Sequence, residues 1–314
     1  MSQLIPSTIP IRTFEDHEGA VVAVAVFHDR RRMITTGSWD KTLRVWDLET
    51  GAVLKKMEGH RREVSALAVS RDGQMIASGD RGGEIIAWHG ETGESLTQPI
   101  KGHSSYINSV DFSPDGTVLA TSGSHDGMTK FWCTKTWQMQ SDPVNCGGDV
   151  HCVRYSPSGE LLAIATFWNI QIYNPGTREC VASLTVRAIR SLAWTPDGTR
   201  LLSGGSDDHP TIREWDPLTW QQVGHPWEGH TGNINAIAIR PDGTLVASAS
   251  DDNVHVRIWR LSDRQNIGIF EHSSPSHSVT FSVDGRHILS GGEDKKISEW
   301  EVPKGVYSKA SFHS

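Results

Sequence analysis

Cysteine is scarce in this 314-residue chain. The four present, Cys133, Cys146, Cys152 and Cys180, form no CxxC pair and have no paired histidines at zinc-ligand spacing. Free thiols and no metal site are expected. Long apolar runs are also missing: nothing approaches the ~18 consecutive apolar residues of a membrane span. The opening MSQLIPSTIPIRTF lacks a basic stretch followed by an apolar run. No membrane partner is expected, and the cytosol is the expected compartment, with the nucleus also open. Positive charge is not in excess, because 30 Lys and Arg face 37 Asp and Glu for a net charge of -7. A general nucleic-acid binder, which needs a basic face to neutralise phosphates, is therefore not expected. The motifs GxxxxGK[ST], HExxH and GxSxG are all absent, so no catalytic residue and no cofactor is predicted.

What is present is a repeat. Gly-His occurs at Gly59/His60, Gly102/His103 and Gly229/His230, with Asp16/His17 and Glu271/His272 as variants. With Cys146 and Thr185 at the corresponding positions of two degenerate units, the repeats start at 17, 60, 103, 146, 185, 230 and 272. A second ladder of closing aromatics, Trp46, Trp88, Trp132, Tyr173, Trp215, Trp259 and Trp300, keeps the same period. Between the ladders, alternation such as Val110 and Phe112, or Ile237 and Ile239, marks half-buried strands. Pro-Asp-Gly then makes a tight turn, since Pro presets φ and Gly accepts a positive one. A four-stranded unit cannot cover both its faces alone. Seven of them stacked in a ring would, and closing the ring removes most free sheet edges.

The Gly-His start, the Ser-Gly-Ser-x-Asp turn and the Trp-Asp end at Trp46/Asp47 and Trp215/Asp216 resemble WD40 repeats over residues 8–302. The resemblance implies an all-β, seven-bladed propeller of four-stranded antiparallel blades, monomeric by itself. Ile9 to Phe14 would supply the missing strand of the last blade, with residues 303–314 as a tail that could compete for the same edge. It also implies a hydrogen-bonded set in each blade: His17, Thr36, Asp40 and Trp46 in the first; His103, Ser122, Asp126 and Trp132 in the third; His272, Ser290, Asp294 and Trp300 in the seventh. Blade two has Gly82 where the turn Asp is expected and so reads as incompletely braced. The sixth keeps His230, Ser248 and Trp259, while the fifth has Thr185 in place of His. Blade four, with Cys146 for His and neither Asp nor Trp, is expected to be the least braced.

Partners of WD40 propellers usually meet the face carrying the loops before the first strand and between the second and third. Three positions per blade lead there: three and five residues after the His position, and the residue before the turn Asp. Mapped here they are Ala20, Val22 and Trp39; Glu63, Ser65 and Arg81; Tyr106, Asn108 and His125; Asp149, His151 and Phe167 or Trp168. Blades five to seven give Ala188, Arg190 and Ser206; Asn233, Asn235 and Asp251; Pro275, His277 and Glu293. Trp, Tyr and Arg are the residues enriched at binding hot spots, so a protein-interaction scaffold binding a protein or peptide is the leading expectation. Two other functions compete. Units such as EGHTGNINAIAIRPDGTLVASASDD resemble propellers of NACHT-type signalling proteins, which implies a sensor module. An enzyme using the central channel would need inward acids such as Glu63, Asp149, Asp251 and Glu293. Trp137 and Trp220, each five residues after a closing Trp, are expected to pack against the outer strand, and Trp194 to lie in the core.

Overall fold

The computed structural model describes residues 7–206, 210–252 and 255–303. They form seven antiparallel sheets arranged as the blades of a ring. Blade one shows the plan, with an inner strand Val21–Val26, a second Arg32–Gly37, a third Thr42–Asp47 and an outer strand Val53–Glu58. Buried apolar side chains lie between neighbouring blades, as where Val64, Ile76 and Trp88 of blade two pack on Ile34, Leu43 and Met57 of blade one. The Pro-Asp-Gly turns adopt the expected geometry: Gly116 and Gly243 sit at φ 71° and 74°.

Blade five departs from the plan. Its sheet has three strands, Ile189–Trp194, Leu201–Gly205 and Ile212–Trp215, and isolated bridges from Gln222 and Trp227 take the outer position. Trp220 packs edge-on against the buried Trp194, ring centroids 6.3 Å apart, and Trp137 packs on the core of blade three. Both occupy a left-handed turn position, φ 56°, where blades one and two carry Gly51 and Gly93.

The ring closes through the start of the chain. Arg12–Glu15 pairs antiparallel with Lys296–Glu301, in register from Arg12 opposite Glu299 to Glu15 opposite Lys296. The strand begins later than the expected Ile9. Pro10 has no N–H to donate, and Ile9 is 79% exposed while Ser7 bridges to Phe270 of blade six. Phe14, 1% exposed, packs edge-on against Trp46 and seals the seam. The tail from 304 onward, including its predicted competition for this edge, lies outside the described residues.

The braces differ from the sequence expectation in three ways. First, the hydroxyl in blades one and three lies one residue earlier than expected: Thr35, not Thr36, and Thr121, not Ser122. Thr35 Oγ1 is 2.7 Å from His17 Nε2 and accepts the Trp46 indole N–H at 2.8 Å. Thr121 is 2.8 Å from His103 and 3.0 Å from the Trp132 nitrogen. Strand alternation sends the neighbouring side chain to the opposite face, so Ser122 bonds the Ser109 carbonyl and Thr36 Oγ1 is buried without a partner. In every braced blade the hydroxyl lies 18 residues after the histidine, a spacing visible in the sequence.

Second, blade two is complete. Asp80, at the end of its strand, takes the role that the turn position Gly82 could not, lying 3.0 Å from His60 Nδ1. Third, blade seven is not complete. Asp294 accepts from Ser273 Oγ and the Lys296 N–H, and His272 Nδ1 is left buried with no partner. Blade six has the full set through Asp252. Blade four has none: the Tyr173 hydroxyl donates to Gln171 Oε1 two residues away.

A full set is a relay of one polarity. The indole N–H donates to the hydroxyl, and a neutral imidazole with its proton on Nδ1 donates to the carboxylate while Nε2 accepts from the hydroxyl. Burial accordingly pushes His17 and His103 below the ordinary histidine value, against the opposing pull of Asp40 and Asp126. Thr35→Val is expected to cost about 2–3 kcal/mol, because it strands both His17 and Trp46 in the interior. Thr36→Val, which removes an unpartnered hydroxyl, is expected to be neutral or stabilising. Denaturant midpoints of the two variants measure the difference, and equal losses would contradict the assignment.

Candidate functional site

Each inner strand carries a β-bulge, and the bulge selects which residue reaches the channel. Pairing with the second strand skips one residue in all seven blades: Val22, Ser65, Asn108, His151, Arg190, Asn235 and His277. These are the positions five after each repeat start, and together they line the mouth of the central channel. A bulge residue is released from the ladder and re-aimed, and the same irregularity in every repeat turns a strand position into a ring of side chains.

Much of this ring holds the blades to one another. Ser65 Oγ donates to the Ile107 carbonyl at 2.6 Å, Asn108 Nδ2 to Val150 at 2.9 Å and Asn235 Nδ2 to Ser276 at 3.2 Å. His151 Nδ1 reaches the Ile189 carbonyl at 3.0 Å, and Arg190 donates to Asn235 Oδ1 at 2.9 Å. Asn108, His151 and Asn235, predicted as partner-binding residues, are thus blade-to-blade stitches in the free protein. Burial pushes His151 below the ordinary histidine range, against the opposing pull of its bond to the Ile189 carbonyl.

The loops outside this ring carry the exposed aromatics. Trp39 is 70% exposed, Trp168 52%, Tyr106 44% and Phe167 42%. Trp39 stands on the turn before Asp40, and its backbone runs so close to Gly19 that a Cβ there would sit 2.7 Å from Trp39 N. It borders a recess of about 850 Å³ shared with Glu18, Arg81, His277, Glu293 and Lys295, contributed by blades seven, one and two. His277 Nε2 and Glu293 Oε1 are 3.4 Å apart on its wall.

Arg81 links this recess to a second cluster. Its guanidinium lies 5.7 Å from the Tyr106 ring centre, and Tyr106 in turn contacts the His125 ring at 5.6 Å. His125 Nδ1 is 3.3 Å from Asp149, the residue next to Gly148, against which Trp168 rests. Phe167 contacts Trp168 edge-on at 4.8 Å and His151 at 6.3 Å, and Arg187 covers Trp168 at 5.3 Å. The structure therefore joins Trp39, Arg81, Tyr106, His125, His151, Trp168, His277 and Glu293 into one band over blades seven to four. Asp251 stays outside it, held by Asn233 at 2.8 Å, and Arg190 and Asn235 pair with each other between the adjacent blades five and six. Glu63 meets Arg81 through the backbone, its carbonyl accepting the Arg81 N–H at 2.9 Å. Arg187, Glu18 and Lys295 were not foreseen, because they lie at none of the three repeat positions.

The four acids considered for channel chemistry, Glu63, Asp149, Asp251 and Glu293, are not among the residues lining the channel mouth. The perturbed acid of the ring interior is Asp111. Burial raises its carboxyl to about 6, against the pull of Arg154, and its Oδ2 accepts the Tyr155 N–H at 2.8 Å, fastening blade three to blade four. Among the described residues no group of three or more His, Cys, Asp and Glu is placed to hold a metal ion.

The repeat described as WD domain, G-beta repeat, matches residues 8–47, 51–89, 94–133, 178–216, 221–259 and 264–301. It passes over 134–177, where blade four lacks the brace residues. The chain is 25% identical to the serine-threonine kinase receptor-associated protein of Gallus gallus over 301 residues, covering 95% of this chain and 83% of that protein. The Homo sapiens protein of the same name is 25% identical over 263 residues, 83% of this chain and 72% of that one. Autophagy-related protein 16 of Arabidopsis thaliana is 24% identical over 312 residues, 94% of this chain but only 58% of that protein.

Proposed function

Since the chain belongs to the WD40 family, we propose that it is a protein-interaction scaffold whose aromatic and arginine-rich band receives a peptide or a partner domain. The observation that carries this reading is the exposure of Trp39, Tyr106, Phe167 and Trp168 on one face. Large aromatics on turns with no packing duty leave apolar area in water, and a partner that covers them recovers it. Arg81 and Arg187 lie over two of these rings and can pair with carbonyl or carboxylate groups of the incoming chain while stacked. Recognition by association is also what the name of the kinase receptor-associated relatives describes for those proteins.

The recess beside Trp39 suits a side chain or a short peptide segment, at about 850 Å³ and open on one side. Asn108, His151 and Asn235 sit deeper and contribute mainly by keeping the channel mouth rigid. Trp39→Ala and Tyr106→Ala are each expected to weaken partner capture at least 30-fold, the scale of a hot spot of 2 kcal/mol or more. Neither residue braces a blade, so the melting temperature should stay within about a degree of the parent's. Quantitative affinity capture alongside thermal unfolding measures both. Undiminished capture by the two variants would refute the assignment of this face.

A further inference from the structure

On the opposite face, the seam between blades three and four holds a second cavity of about 390 Å³. Two of its lining groups are buried donors that nothing satisfies. Arg178 lies with its guanidinium carbon 3.4 Å from the centre of the Phe131 ring, and its Nη1 is buried with no hydrogen-bond partner. Tyr155 is 8% exposed, and its hydroxyl is also buried and unpartnered. The nearby carboxylate, Asp115, is committed to its own turn through Ser113 Oγ, the Thr117 N–H and Thr117 Oγ1.

The same corner of another blade shows what is missing. Arg264 of blade six occupies the equivalent left-handed turn position, φ 61° against 65° for Arg178, and also reaches back to the preceding blade. There it meets a carboxylate: its Nη2 and Nε lie 3.1 and 3.3 Å from Glu214 Oε2. Glu214 immediately precedes Trp215, as Phe131 immediately precedes Trp132. At the seam of blades three and four an aromatic therefore stands where the counter-ion would be, and the arginine keeps its charge without a carboxylate partner. Burial lowers the Arg178 pKa, and it raises that of Tyr155, so both groups are under-satisfied as they stand.

We propose that this cavity is a binding site for a small oxyanion, a carboxylate or phosphate group of a small molecule, which takes the place that Glu214 holds beside Arg264. One anion oxygen would receive the Arg178 N–H and the Tyr155 O–H together, with Phe131 and Pro114 walling its apolar side. The site is independent of the aromatic band, which lies on the other face of the ring.

The test is a thermal-shift titration of the full chain with inorganic phosphate and, separately, with acetate, each against sodium chloride at matched ionic strength. A saturable rise in melting temperature with one or both anions, absent with chloride, is the expected result. Arg178→Gln and Tyr155→Phe should each weaken the apparent affinity at least tenfold. Arg286→Gln, an exposed arginine outside both the cavity and the aromatic band, should leave it unchanged. Tyr155→Phe removes only an unpartnered hydroxyl, so it is expected to fold at least as well as the parent and keeps the test valid if Arg178→Gln does not. A response to phosphate alone identifies a phosphate ligand, and a response to acetate alone a carboxylate. A rise equal to that with chloride, no rise, or a rise undiminished in Tyr155→Phe would overturn the proposal.

Discussion

Asp80→Ala is expected to destabilise the propeller by about 4 kcal/mol, more than loss of any residue on its surface. The Asp80 carboxylate is wholly buried and receives three donors: His60 Nδ1 at 3.0 Å, the Gly82 N–H at 2.8 Å and the Glu84 N–H at 2.9 Å. Burial alone would raise its pKa, but the bonds from His60 and Glu84 outweigh that and hold it below the ordinary aspartate value. Truncation strands the imidazole and two backbone N–H groups in a space too small to hydrate freely. Gly82→Asp, which would restore the residue type at the expected turn position, should not rescue it, because a side chain there meets Arg62 and leaves the end of the strand empty. Urea or guanidinium unfolding of the single and double variants decides the matter. A loss below about 1 kcal/mol in Asp80→Ala would mean that blade two is not braced through this residue.

Acid should weaken blade seven before the others. His272 is buried, lacks the hydrogen bond to Asp294, and is pushed by burial to about 4. The unfolded chain titrates this histidine near 6.5, so it binds a proton that the folded state resists. The stabilising contribution of the neutral ring is therefore present above about pH 6.5 and is lost as pH falls from there towards 4, an effect of about 3 kcal/mol. His17 and His103 shift in the same direction and add to the loss. The brace carboxylates act lower on the scale. Asp40, Asp80 and Asp252 are held below the ordinary value because their histidine and backbone bonds outweigh burial, so their contribution remains until pH falls under about 3.8. Stability measured by denaturant at pH 7.5, 6.5, 5.5 and 4.5 should decline across the histidine window. His272→Gln should be less stable at pH 7.5 but lose less on acidification, and parallel curves for the two proteins would rule out His272 as the source. Because blade seven is closed by Arg12–Glu15, hydrogen exchange at low pH should rise first there.

The architecture was legible because each blade must carry its own turn and its own buried aromatic. A glycine able to adopt positive φ and a Trp that fills the space between sheets cannot be dispensed with in most repeats, so both recur every 40-odd residues. The exposed face was legible for a related reason. Trp39 occupies a turn position with no packing duty, and the structure leaves it in water. The braces were harder to read. Thr35 and Thr36 are adjacent hydroxyls, and residue type does not say which one faces the histidine. The spacing of 18 residues does, but it becomes a rule only after the strand register is known. Asp80 was missed because a shorter turn lets the strand end deliver a carboxylate that elsewhere comes from the turn itself.

By itself the sequence determined the period, the number of blades, the closing aromatics and the ring of loop residues, since these follow from local requirements repeated along the chain. Only the tertiary structure decided what each of those residues does. The bulges turn Asn108, His151 and Asn235 inward to stitch one blade to the next, Asp294 turns from His272 to Ser273, and Phe131 leaves Arg178 without the carboxylate that Arg264 has. Each of these outcomes depends on a partner in another strand or blade, and such partners are set by register and by how the sheets stack, which no single repeat encodes.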